Sequence, residues 1–253
     1  MLAVHEFTIG LLIKMVNNKM QNRCGLLFLR KCYASSMCVN FTPPTAQQIR
    51  THFGYEVEDG LWRPECWQDY AAPIITRDGL RLASYGLVPK RHLPPGVRFT
   101  TMNARAETIG EKPTYKAAWR KCQLCLVPMQ AFFEPCYETG KAVRMRIGMA
   151  GGEPFAVAGM WREWQEPEGS TSYAFTQITI NADEHPLMKR MHKPGDEKRS
   201  LVIVDPDQYQ VWLACHDAEV ARSFLNHYPA ELMTAAAAPL PRKAGSADNQ
   251  QLI

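Results

Sequence analysis

The run Ala72-Pro73-Ile74-Ile75-Thr76-Arg77-Asp78-Gly79-Leu80-Arg81-Leu82-Ala83-Ser84-Tyr85-Gly86-Leu87-Val88 decides how the chain folds. Two apolar, β-rich stretches, Ala72–Thr76 and Arg81–Val88, flank Arg77-Asp78-Gly79, where Asp-Gly supplies a positive φ at little steric cost. The spacing predicts a hairpin, which commits both strands to antiparallel pairing. Outward from it, short apolar runs punctuated by proline and glycine predict further strands over Leu124–Met129, Ala131–Glu134, Val143–Ile147, Phe155–Trp161, Ala174–Ile180 and Leu201–Val204. Helical spacing is rarer and predicts helices over Thr45–Phe53, Thr114–Arg120, Gln208–Leu213 and Asp217–Leu225. The expected fold class is α+β: a single domain built on a mainly antiparallel, barrel-like β-sheet with a few flanking helices.

At 253 residues, 46% hydrophobic and 21% charged, the chain can bury one substantial core. No run of about eighteen apolar residues is present, so no membrane partner is expected. The formal charge is +4, yet residues 1–36 hold five cations (Lys14, Lys19, Arg23, Arg30, Lys31) against Glu6 alone, and the remainder is balanced at 24 against 24. Net charge is thus no reason to infer DNA binding; a local groove would have to supply it. Residues 1–36 have neither the apolar core of a secretory signal nor the Arg and Ser of a transit peptide. They are read as a leader preceding a true start at Met37, with a catalytic domain over 37–233. From Thr234 the chain turns to Ala, Pro, Ser, Lys and Asn, and 234–253 is read as a flexible tail.

Eight cysteines without scaffold spacing are read as reduced thiols of a cytoplasmic protein. Cys122 and Cys125 form a lone C-x-x-C with no second pair to complete a tetrahedron, so no metal is expected. Gly151-Gly152 runs into Glu153-Pro154 without the Lys-Ser/Thr of a phosphate loop, and no nucleotide or other cofactor is expected. No internal repeat is present.

Five segments set reactive or polar groups at the edges of apolar runs: Met37-Cys38-Val39-Asn40-Phe41; Tyr85-Gly86-Leu87-Val88-Pro89; Asn103-Ala104-Arg105-Ala106-Glu107-Thr108; Leu126-Val127-Pro128 with Phe132-Phe133-Glu134; and Met191-His192 before Arg199-Ser200-Leu201-Val202-Ile203. Singly each is bland: a glutamate at a strand end or a histidine in a basic loop is more often solvated than functional. As an ordered set, with Ala158-Gly159-Met160-Trp161 and Thr179 to Ala182, they resemble the SRAP (SOS response-associated peptidase) family from about Met37 to Leu213.

That resemblance implies covalent trapping of abasic sites in single-stranded DNA by Cys38 as the N-terminal residue, within the DNA damage response. The chemistry can be rebuilt from functional groups. An N-terminal cysteine is a 1,2-aminothiol, and its α-amino group titrates near neutrality, far below lysine. Its amine and thiol can close on one aldehyde carbon as a thiazolidine. If residues 1–36 stayed attached, that nitrogen would be an amide. The resemblance makes Glu134 the general acid/base, has His192 hand protons to the sugar oxygen, lets Asn103 hold the amine or sugar, and sets Arg105 on a phosphate. Thr179 is implied at the sugar, Tyr85 under a flanking base, and Arg199 at the DNA. The protein is expected to act as a monomer on a lesion-bearing single strand, associating with the nucleoid when bound.

The sequence departs from the family pattern in places. Val39-Asn40 stands where Gly-Arg is usual, Pro135 follows the glutamate in place of tryptophan, and Lys193–Lys198 lengthen the connection between His192 and Arg199. A cysteine peptidase using Cys38 and His192, with Glu134 or Asn103 orienting the base, is the rival enzyme reading. A single-strand binding module without catalysis is the other.

Overall fold

The computed structural model describes residues 40–240; Cys38 and the leader expectation lie outside them. Thirteen strands occur among the described residues: β1 (Asn40–Thr42), β2 (Cys66–Trp67), β3 (Ala71–Thr76), β4 (Gly79–Tyr85), β5 (Asn103–Arg105), β6 (Leu124–Met129), β7 (Ala131–Cys136), β8 (Val143–Met149), β9 (Phe155–Gln165), β10 (Thr171–Asn181), β11 (Arg199–Leu201), β12 (Ile203–Val204) and β13 (Met233–Ala237). Four short helices join them: α1 (Ala46–Gln48, running into a π-helical turn at Ile49–Phe53), α2 (Pro113–Arg120), α3 (Tyr209–Ala214) and α4 (Ala218–Arg222).

The hairpin forms at Arg77-Asp78, with Thr76 opposite Gly79 and Ile75 opposite Leu80. Gly79 alone carries the positive φ, at 114°, while the Thr76 hydroxyl accepts from the Asp78 N–H and donates to the Gly79 carbonyl. From this hairpin a ring closes: β4 beside β3, β3 beside β6, β6 beside β9, β9 beside β10, and β10 back beside β4. The ring is antiparallel except where β10 runs parallel to β4 and, further along, to β5. A second sheet runs β13-β8-β7-β1-β2. The α+β, barrel-like expectation holds.

Strand alternation feeds two cores. Cys125, Val127 and Met129 of β6 join Phe41, Phe132, Phe155 and Phe175, whereas Leu124 and Leu126 join Trp119, Ile178 and Trp212 under the helices. Covered on both faces, all six residues of β6 are buried. Gly159 on β9 is required by close approach: a Cβ there would lie 2.8 Å from the Thr176 carbonyl oxygen and 3.0 Å from Cys125 Sγ. Local chemistry fixes the helix starts, with Thr45 and Gln48 forming a capping box and Asp217 accepting from Glu219 N and Val220 N.

One boundary is corrected. Met233–Ala237 is a strand, paired with β8 from Met233 opposite Met149 to Ala237 opposite Met145. Thr-Ala-Ala-Ala offers little side chain to bury, but its backbone hydrogen bonds to β8 order it.

Candidate functional site

Glu134 stands on β7 and is 4% exposed, facing the same side of the strand as the core residue Phe132. His192, 3% exposed, comes from a segment distant in sequence, after the single turn Met188–Arg190. Two backbone contacts deliver it: Met191 bridges to Cys136, and the His192 N–H donates to the Pro135 carbonyl at 2.6 Å. The residue pays for this position with a left-handed φ of 65°. Its Nε2 then lies 3.0 Å from Glu134 Oε2. On the other side of the ring Nδ1 accepts the Arg199 N–H at 3.3 Å. A nitrogen that accepts carries no proton, so the network places the ring proton on Nε2, donated to Glu134. Both ring nitrogens are thereby engaged within the protein.

Arg199, 2% exposed, anchors this corner. Its guanidinium is bidentate on Glu107 (2.9 and 2.8 Å), and also donates to Glu197 (2.8 Å), the Thr179 carbonyl (2.7 Å) and the Thr179 hydroxyl (3.1 Å). Burial pushes the Glu107 and Glu197 carboxyls up, but hydrogen bonds and charge from Arg199 outweigh it and hold both below the ordinary value. Glu197 also accepts from Arg105 Nη1 at 2.6 Å. Through β5, Asn103 pairs with Gln177 and Arg105 with Thr179 of β10, and alternation turns Asn103 and Arg105 to one side and Ala104 into the core.

The first described strand, β1, begins at Asn40, two positions after Cys38 in the sequence. Phe41 of β1 is opposite Phe132 of β7, so the incoming end of β1 lies against the Phe133–Glu134 part of that strand. Asn40 at that end is buried and donates to Glu65, which takes the Arg144 guanidinium at 3.0 Å; Arg144 in turn lies 3.4 Å over the Phe133 ring.

Three residues expected at the DNA lie in the interior of the protein. Tyr85 is fully buried, stacked on Phe175 at 5.2 Å with its hydroxyl donating to Gln177, so its face is not open to a base. Thr179 and Arg199 are buried, with the Thr179 hydroxyl bonded to Arg199 and the Arg199 guanidinium paired with Glu107. Glu134 and His192 are brought together, and Arg105 is partly exposed. Sequence reasoning missed Glu107 and Glu197 as the clamps on the two arginines. The alternation Asn103, Arg105, Glu107 was a signal for the first. Nothing in the sequence marked the second.

Among the described residues no group of three His, Cys, Asp or Glu side chains is arranged to hold a metal, and no helix is long and apolar enough to cross a membrane.

The profile of the SOS response associated peptidase (SRAP) family matches residues 37–240. The chain is 30% identical over 154 residues to the abasic site processing protein YoqW of Bacillus subtilis (strain 168), a match spanning 60% of this chain and 65% of that protein. It is 27% identical over 151 residues to the abasic site processing protein HMCES of Xenopus tropicalis, spanning 51% and 43% respectively. A crystal structure of a protein from Bordetella bronchiseptica superposes with a TM-score of 0.72 at 32% identity, over 80% of this chain and all of that one. One from Bacteroides thetaiotaomicron shares the fold at a TM-score of 0.62 and 23% identity, over 79% and 91%. With the family profile spanning most of its length, the chain belongs to the SRAP family.

Proposed function

We propose that the chain captures abasic sites in single-stranded DNA covalently, through Cys38 as its working N-terminal residue. The observation that carries this reading is the buried Glu134–His192 pair lying where β1 enters. Cys38 precedes Asn40, the first residue of β1, by two positions in the sequence. The names of the relatives YoqW and HMCES supply the substrate class, and the family profile begins at Met37. A further support is that the five described cysteines, at 66, 122, 125, 136 and 215, are all buried, with burial pushing the Cys66 and Cys125 thiols up.

The Cys38 amine, having given its proton to Glu134, attacks the ring-opened sugar aldehyde and forms a C–N bond. The resulting hydroxyl leaves as water when Glu134 returns the proton, giving an iminium. The Cys38 thiol adds to the same carbon, its proton passing to the nitrogen, and the thiazolidine closes with net loss of one water. His192 acts through Glu134: its Nε2–H bonds the carboxylate and fixes its orientation. Asn103 orients the sugar or amine and Arg105 takes a phosphate.

The peptidase reading needs a histidine nitrogen aimed at a thiol, whereas Nε2 is bonded to Glu134 and Nδ1 to Arg199 N–H. Incubation with a single-stranded oligonucleotide bearing one abasic site, followed by denaturing electrophoresis, tests the proposal. A shifted band that disappears in Cys38→Ala supports it. Salt-sensitive binding without any heat-stable adduct would leave only a binding module.

A further inference from the structure

The residues Lys193–Lys198 return the chain from His192 to β11, and the capture chemistry gives them no role. Their conformation is fixed: Lys198 Nζ donates to the carbonyls of His192 (3.3 Å) and Lys193 (2.9 Å), and the Lys198 N–H donates to Asp183 Oδ1 (2.9 Å). Gly195, at φ 83°, makes the turn that returns the Asp196 N–H to the Lys193 carbonyl. The fold of this loop carries Glu197 across to β5. There one carboxylate oxygen takes Arg105 Nη1 at 2.6 Å while the other takes Arg199 Nη1 at 2.8 Å.

We infer that Glu197 is a built-in stand-in for a DNA phosphate, occupying Arg105 in the free protein and displaced by the strand on binding. The inference rests on the reading of Arg105 as a phosphate contact. A carboxylate oxygen at charge-assisted distance meets a guanidinium as a phosphate oxygen would. The two side chains are 40% and 35% exposed, so an incoming phosphate can reach the pair. Release does not dismantle the site, because Arg199 keeps its bidentate bond to Glu107 and its bonds to Thr179. Glu197 therefore sets how tightly the strand is held: any ligand that cannot offer an anion at Arg105 leaves the internal pair closed. The inserted loop thus weakens retention of nucleic acid that lacks a correctly placed phosphate.

The test is fluorescence anisotropy of the full chain with a labelled thymidine 20-mer at low salt, comparing wild type, Glu197→Gln, Asp196→Asn, Arg105→Gln and the Arg105→Gln/Glu197→Gln double variant. Glu197→Gln keeps an oxygen for Arg199 but releases Arg105. It is expected to tighten binding roughly two- to fivefold, the scale of a half-exposed ion pair. Asp196→Asn removes an equal charge one residue away and is expected to do less. In the Arg105→Gln background the gain should shrink to that of Asp196→Asn. No tightening in Glu197→Gln, or an equal gain without Arg105, overturns the inference. If Arg105→Gln weakens wild-type binding while Glu197→Gln changes nothing, only the stand-in role falls. If Arg105→Gln changes nothing, the phosphate role of Arg105 falls with it.

Discussion

Glu134 and His192 depend on each other through one proton. The Arg199 N–H occupies Nδ1, which forces the proton to Nε2 and leaves the carboxylate as the acceptor. Glu134→Gln keeps an oxygen for that N–H while losing the base, so it should slow adduct formation by roughly 10²- to 10⁴-fold with little change in melting temperature. Time-resolved denaturing gels and thermal unfolding on the same preparation check it; a large loss of stability would make Glu134 a structural residue. Arg199 belongs to the other class. Arg199→Met strands Glu107 and Glu197 beside a buried apolar stem and should cost about 1–3 kcal/mol in denaturant unfolding, below a fully buried pair because Glu107 is half exposed. The same carboxyls set an acid limb. Their folded values lie below the ordinary 4.5, so their contribution is present above that value and fades as the pH falls below it. Stability measured between pH 6 and pH 3, a range spanning roughly the carboxylate titration, should fall less steeply in Arg199→Met than in wild type.

Among the elements, the hairpin at Arg77-Asp78 and the buried strand Leu124–Met129 were legible in the sequence because their side chains alternate or bury completely. Strands β1, β2 and β5 were not, being two or three residues long and ordered by their partners. The polar end of β9, Arg162 to Gln165, hid the continuation of that strand, since it pairs with β10 and leaves its side chains partly exposed. β13 was hidden for the reason its alanines suggest: its order comes from the backbone ladder. A chain ending at Leu232 should therefore unfold more easily and associate through the uncovered edge of β8, whereas one ending at Leu240 should not. Light scattering and thermal unfolding of the two truncations decide it. Within the closed ring, Gly159→Ala should destabilise by roughly 1–3 kcal/mol, because the nearest obstacle is the backbone carbonyl of Thr176, which cannot rotate away. An unchanged denaturation midpoint would show that β9 has room to shift.

Across the whole molecule, the family motifs were readable because they are short and contiguous, while the electrostatic design was not, because it joins Glu107 to Glu197 and Arg199 across two segments far apart in the sequence. Tyr85, Thr179 and Arg199 were expected at the DNA from the family resemblance; their burial is a property of the assembled barrel, which a motif match does not encode. The charge balance of the chain after residue 36 fits the result: contact with a strand would fall to a few placed cations such as Arg105. The account as a whole turns on a free α-amine at Cys38. Intact-mass analysis of the product formed with an abasic oligonucleotide tests this most directly: a chain beginning at Cys38 plus the oligonucleotide less one water is the expected mass. An adduct that retains residues 1–37, or one that still forms in Cys38→Ala, would contradict it.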